Sequence, residues 1–294
     1  MEKIKMRSYA VSIPGEVAGS PELGDALRSH DLRNIEFSDG VAPHSGMTAR
    51  YVKGLEELQK KGILQIGSLH LPFYPFSLWQ FASEDEAARR ETVRLTLEYM
   101  EHFARLDIRN LTIHCGGEPN LPEERRIRME QMVRTCRDLQ PVLERWDASL
   151  NLELLPRTCL GNHEDELLEM IGQLPAEHFN LCIDVNHLMG RWREIPAVIR
   201  KCASRIRSFH ISDYDGVDEC HWQVGHGIIS WPEVAAEIKA LDQDVLIIIE
   251  VSHLKTPGDK RWVSPSLRFT SAEQDCLRLE FAEEWESMRS RFRW

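Results

Sequence analysis

Histidine and carboxylate side chains recur in this chain at one kind of place, the polar tip of a short apolar run. His70 follows Ile66–Leu69, His114 follows Leu111–Ile113, and Glu153 follows Leu150–Leu152. Asp184 closes Leu181–Ile183 with His187 three residues on, His210 closes Ile206–Phe209, and Glu250 lies at the end of a Val/Ile run. Taken singly, each reads equally as a satisfied histidine or a solvated carboxylate near a loop. Their recurrence at one layer is harder to explain that way, because an isolated charge at the end of an apolar strand is costly, whereas a divalent cation satisfies several at once. The inferred ligand set is Glu153, Asp184, His210 and Glu250. Three carboxylates and one imidazole suit Mn²⁺, Mg²⁺ or Co²⁺, with Zn²⁺ able to compete through its affinity.

The densest concentration of such groups is Phe209–Gly227. It reads as a strand delivering His210 into a site, then a loop holding Asp213, Asp215, Asp218, Glu219, His221 and a Gly225-His226-Gly227 turn. Like charges held this close oppose folding unless solvated, paired or bound to a cation. A plain solvated acidic loop is the competing explanation.

The elements that must position these residues alternate. Strands are expected at Met6–Ile13, Asn34–Phe37, Ile63–Leu69, Asn110–Ile113, Ser149–Leu155, Asn180–Ile183, Ile206–Phe209 and Val245–Val251. Helices are expected at Glu22–Ser29, Ser45–Lys61, Glu84–Leu106, Pro122–Trp146, Glu164–Gln173, Ile195–Ser204, Trp231–Leu241 and Ser271–Arg291. Gly62 should close the second helix, and Val93, Leu97, Met100 and Ala104 give the third its apolar stripe. Strand–helix alternation implies parallel pairing through right-handed crossovers, and eight such units close most naturally into a single (β/α)8 TIM barrel of the α/β class, one domain over residues 1–294. An open doubly wound sheet is the alternative, weakened because Ile13-Pro14-Gly15 provides no glycine-rich phosphate turn after the first strand. In a barrel the C-terminal strand ends converge, so the scattered polar tips would meet around one pocket.

Composition narrows the partners. The formal net charge of −11 gives no global attraction for a phosphate backbone, so nucleic acid is not expected. The N-terminal stretch lacks a continuous apolar core and no window approaches a membrane span, so neither secretion nor a membrane is indicated and a cytoplasmic location is expected. Seven cysteines, an odd number without a CxxC pair, suit reduced buried thiols (Cys136, Cys182, Cys202 and Cys276 lie in apolar runs) better than a disulfide framework.

The segments LHLPF, TIHCGG, LNLELLP, LCIDVNH, FHISDYDG and HWQVGHG resemble those of the xylose-isomerase-like TIM-barrel superfamily, in particular its sugar isomerase/epimerase branch. The resemblance spans nearly the whole chain. It implies a metal held by a glutamate, an aspartate, a histidine and a glutamate from strands five to eight, at positions matching Glu153, Asp184, His210 and Glu250. It also implies that the metal engages two adjacent oxygens of a hydroxy-ketone sugar. One glutamate then removes the intervening proton and the other returns one to the opposite face of a cis-enediolate, with Glu153 and Glu250 as the pair. His187 would contact the small-molecule sugar. A homo-oligomer is compatible with this reading. Phe73, Trp222 and Trp231 are candidates for packing on the sugar ring, with plain core as the alternative. Arg157 could orient Glu153 or touch substrate, or form a surface salt bridge.

The same superfamily includes type-IV abasic-site endonucleases, which implies a second reading, a multi-zinc phosphodiesterase. Its additional ligands would be His70, His114, His187, Glu219 and His221; in the sugar branch His70 and His114 would instead line the substrate pocket. The spacing of the nuclease D-R-H…G-x-G element is kept at Glu219-Cys220-His221…Gly225-His226-Gly227, with glutamate and cysteine for aspartate and arginine. Against the nuclease, the loops FYPFSLWQF and DYDGVDECHW contain no lysine or arginine, where a nuclease must grip phosphates. Against the isomerase, Leu154 stands where isomerases commonly carry asparagine, so an unusual substrate or a lyase-type reaction is also compatible.

Overall fold

The computed structural model describes residues 7–15, 23–29, 33–38, 45–222 and 224–251. Eight strands, β1 (Arg7–Pro14), β2 (Asn34–Ser38), β3 (Gln65–His70), β4 (Asn110–Ile113), β5 (Ser149–Glu153), β6 (Phe179–Asp184), β7 (Ile206–Ile211) and β8 (Val245–Ile249), pair in parallel in sequence order. The barrel closes where β1 pairs with β8, in a register running from Arg7 opposite Val245 to Val11 opposite Ile249. Helices α1 (Leu23–Ser29), α2 (Ser45–Lys60), α3 (Glu86–Glu101), α4 (Pro122–Trp146), α5 (Glu164–Ile171), α6 (Ile195–Cys202) and α7 (Trp231–Ala240) each follow the strand of the same number. The expected helix over Ser271–Arg291, and Cys276 with it, lie outside the described residues. The other six cysteines are free and buried.

Local chemistry explains most boundaries. Asp85 caps α3, accepting from the Ala87 and Ala88 N–H groups. Pro122 and Pro196 sit in the first turns of α4 and α6, where a missing N–H costs nothing. At the end of α2, Gly62 is left-handed (φ +67°) and the Ile63 N–H donates to the Leu58 carbonyl at 3.0 Å. That six-to-one bond consumes Ile63 in the helix stop, so β3 begins two residues later than the apolar run suggests. The connection after β6 is a kinked 3₁₀ segment over Asn186–Glu194 with Met189 at φ +53°.

Strand alternation separates two environments. Ile35, Phe37, Leu69, Leu111, Ile113, Leu150, Leu152, Leu181, Ile183, Phe209, Ile247 and Ile249 pack outward in one continuous core beneath the helices. The intervening residues point inward. On β1 and β8 the buried ones are Ala10, Leu246 and Ile248, a small separate apolar cluster. Elsewhere, beside buried Cys182, they include the buried polar residues Glu36, Ser68, His70, Thr112, Asn151, Glu153, Asn180, Asp184, Ser208 and His210. The barrel axis is therefore lined by groups that demand partners, and the demand rises toward the C-terminal strand ends. The reading of β8 as a strand buried on both faces holds, since all five of its residues are buried.

Candidate functional site

Glu153 and Asp184 end β5 and β6, His210 is the penultimate residue of β7, and Glu250 follows β8 with its N–H still donating to the Ile211 carbonyl at 3.1 Å. One ligand-type atom from each of the four lies within 4.8 Å of the others. Nδ1 of His210 stands 3.3 Å from Glu153 Oε1 and 3.2 Å from Glu250 Oε2. Glu153, Asp184 and His210 are fully enclosed, whereas the Glu250 side chain keeps 26% exposure and leaves the cluster reachable from that side.

Further imidazoles surround this set. His70 Nε2 and His114 Nε2 each lie 3.1 Å from Glu153 Oε2. His70 donates its other ring N–H to the Leu71 carbonyl at 2.8 Å. A neutral His70 would thus aim a bare lone pair at a carboxylate, so its Nε2 must either carry a second proton or share a cation with Glu153. His187 is placed alike, with Nδ1 2.9 Å from the Leu154 carbonyl and 3.4 Å from both Glu153 and Asp184, and Nε2 3.2 Å from Glu219. His221, at φ +49°, completes a second group with Asp184 and His187.

The electrostatics follow from this crowding. Burial opposes the charged form of Glu153, yet His114 and His210 hold its carboxyl well below the usual range. Glu250 is lowered against burial by His210 and His221. Asp184 goes the other way, pushed by burial up to about 6. Burial disfavours protonated His187, but Asp184, Glu219 and Glu153 outweigh it and raise the imidazole to about 10. His114 is depressed by burial.

The donor set fits a divalent ion. Asp184 Oδ2 and Glu250 Oε2 are buried and lack a hydrogen-bond donor, although buried carboxylate oxygens are ordinarily satisfied. Asp184 Oδ1 is taken by the Asn186 N–H at 2.7 Å, which leaves Oδ2 free as a ligand atom. Three carboxylates and an imidazole within 4.8 Å are an expensive arrangement that one hard cation would neutralise.

Several neighbours play other parts. Arg157 does not reach Glu153; it bonds Glu118 (2.7 Å) and Glu219 (2.8 Å), with Asp218 at 3.5 Å, so the salt-bridge reading describes it. Phe73 stacks on His114 with centroids 4.1 Å apart and so borders the site. Trp222 is buried, its backbone pairing with Asp213 in both directions at 2.8 Å. Trp231 belongs to the loop's anchor instead of a ring-binding wall: its indole N–H donates to Asp213 Oδ2 at 2.7 Å. Asp213 itself is a hub, also accepting from the N–H groups of Tyr214, Gly225 and Ile229. Asp215 turns the loop through the Val217 and Asp218 N–H groups. Two residues absent from the sequence-level set emerge, Asn186 behind Asp184 and Glu36 behind His210. Glu36 could have been found from its period-two position in Asn34-Ile-Glu-Phe-Ser38, which places it on the inner wall.

The family model described as "Xylose isomerase-like TIM barrel" matches residues 25–272. The fold resembles a solved D-tagatose 3-epimerase-like protein at 21% identity and a TM-score of 0.70, covering 94% of this chain and 98% of that one. It also resembles D-psicose 3-epimerase from Clostridium cellulolyticum H10, solved with D-tagatose, at 17% identity and a TM-score of 0.72, covering 98% and 99%. An uncharacterized protein of Methanocaldococcus jannaschii is 24% identical over 214 residues, 71% of this chain and 72% of that protein.

Proposed function

The chain belongs to the xylose isomerase-like TIM-barrel family, and from that premise we propose that it is a divalent-metal-dependent sugar isomerase or epimerase acting on a ketose or related keto-sugar. The observation that carries this reading is the pair of carboxyls, Glu153 and Glu250, which both approach His210 Nδ1, at 3.3 and 3.2 Å. The solved relatives that share the fold include D-tagatose- and D-psicose-type 3-epimerases, which is the chemistry such a pair serves.

Glu153, Asp184, His210 and Glu250 would hold the ion. The bound cation would act as a Lewis acid, polarising adjacent hydroxyl and carbonyl oxygens of the sugar and so acidifying the C–H between them. Glu153 and Glu250, whose carboxylate forms neighbouring imidazoles favour, are the acid–base pair. One, deprotonated, removes the proton; the other first takes up a proton from solvent or a neighbouring imidazolium and then delivers it to the opposite face of the planar enediolate, which needs a carboxyl on each side of the carbon. His187, its Nδ1–H held by the Leu154 carbonyl, would turn its Nε2–H from Glu219 to a sugar oxygen when substrate binds. Phe73 and Trp222 supply apolar surface that keeps water away.

A second reading, the multi-zinc phosphodiesterase, is favoured by one feature. His70 and His114 share Glu153, while His187, His221 and Asp184 form a further group, so the residues for additional ions are all assembled. The sequence after Glu250 also carries Lys255, Lys260 and Arg261, outside the described residues. Arg157, in the connection after β5, is already committed to three acids.

The two readings separate in one experiment. The purified protein is assayed for ions per chain, for deuterium exchange into D-tagatose and D-fructose in D₂O, and for cleavage of abasic duplex DNA with added Zn²⁺. One ion with deuterium uptake is expected. Three ions with strand cleavage and no exchange would replace the isomerase reading with the nuclease.

A further inference from the structure

We propose that Glu36 is a positioning residue for the metal centre, holding His210 as the Nε2–H tautomer so that Nδ1 presents its lone pair to the cation. This rests on the reading that His210 is a ligand. The two ring nitrogens of His210 face different company. Nδ1 looks into the cluster, between Glu153 and Glu250. Nε2 looks down the barrel at Glu36, 3.1 Å from Oε1 and 3.4 Å from Oε2, with the second contact in hydrogen-bonding alignment. A histidine ligand with one nitrogen on the metal keeps its proton on the other, and a carboxylate there fixes the ring's plane and raises its basicity.

Glu36 is built to stay in place. Both it and His210 are wholly buried. Among the described residues, its ion-pair partner is His210. Ser68 donates to Oε2 at 2.7 Å, with Thr112 Oγ1 3.5 Å from the same oxygen. That geometry depends on an irregularity in the sheet: Ile35 lies opposite Ile66 but Glu36 lies opposite Ser68, so Gly67 is the extra residue of a bulge. A Cβ on Gly67 would strike the Asn34 side-chain amide, which explains glycine there. The bulge turns Ser68 under Glu36 one step below the ligands. A charged group in this position is costly, and a buried carboxylate that only filled space would be replaced by leucine with profit to stability.

The test compares Mn²⁺ affinity of the full chain and its Glu36→Leu, Glu36→Gln and His210→Ala variants by titration calorimetry, with the His210 ring tautomer read from ¹⁵N–¹H spectra of Mg²⁺-loaded protein. Glu36→Leu should lose about 10- to 100-fold in Mn²⁺ affinity while its metal-free melting point holds or rises. Glu36→Gln, which keeps an acceptor but not the charge, should lose less affinity than Glu36→Leu and keep a weakened Nε2–H signature. Should Glu36→Leu fold poorly, the loss of affinity in Glu36→Gln together with a weakened Nε2–H signature decides. If His210→Ala abolishes binding but both Glu36 variants bind as tightly as wild type, the inference is wrong and the metal reading stands. If wild-type protein takes up no Mn²⁺, both fall.

Discussion

Glu153 is the residue through which the site's demands meet. Its two oxygens serve His70, His114, His210 and His187 within 3.1 to 3.4 Å, and it is 1% exposed. Glu250 has fewer partners and more exposure. The proposed chemistry treats the two as a pair in spite of this, because the substrate carbon must lie between them. Glu153→Gln and Glu250→Gln should therefore each slow solvent-deuterium exchange into a turned-over ketose by two to four orders of magnitude. Circular dichroism should remain that of the folded protein. Wild-type exchange in either variant would reduce that glutamate to a ligand.

At the scale of elements, the loop from Asp213 to Trp231 is organised around one carboxylate. Four donors from its length converge on the Asp213 carboxylate, which is fully buried. The acidic residues of this stretch thus divide by role: Asp213 and Asp215 shape the loop, whereas Glu219 meets His187 and Arg157. Hydrogen bonds to a buried charge contribute more than neutral ones, so Asp213→Ala should cost about 2 to 3 kcal/mol or more locally. Hydrogen exchange should show it as lost protection at Tyr214, Gly225 and Ile229 with β6 unchanged. Uniform loss across the barrel, or none, would show that the hub does not hold the loop separately.

For the molecule as a whole, the closed barrel concentrates negative charge at one end, and cation binding should stabilise it by mass action. At a hundredfold excess over Kd the gain is about 2.7 kcal/mol, or roughly 4 to 5 °C in melting temperature for a chain of this length. Scanning calorimetry of chelator-treated protein with and without Mn²⁺ checks this, and an unchanged midpoint would argue against a resident ion. Much of this architecture is legible in the chain because strand ends carry both periodicity and chemistry. Pro122 and Trp146 bound α4 where the sequence places them, and the tips of β5 to β8 are conspicuous among apolar neighbours. What escaped lies one step inside. Glu36 is mid-strand, where attention to strand ends passes over it, and its role depends on a sheet irregularity that pairing, not composition, creates. The 3₁₀ stretch Asn186–Glu194 has no periodicity to announce it. In the sequence Trp231 reads as a ring-packing candidate or as plain core, and only the fold shows its indole N–H committed to Asp213.

The seam between β1 and β8 adds a matter of timing. Glu250 is the last of the four cluster residues to be synthesised, and Glu36 joins the cluster from the far side of that seam. Until β1 and β8 meet, the nascent chain offers only a partial claw of Glu153, Asp184 and His210. Contacts this distant in sequence form late. Under the proposed metal-dependent function, the ion would then come from the pool the finished protein encounters, not from the one present during its translation. A chain arrested on the ribosome before Val245 should accordingly retain no ion through gel filtration.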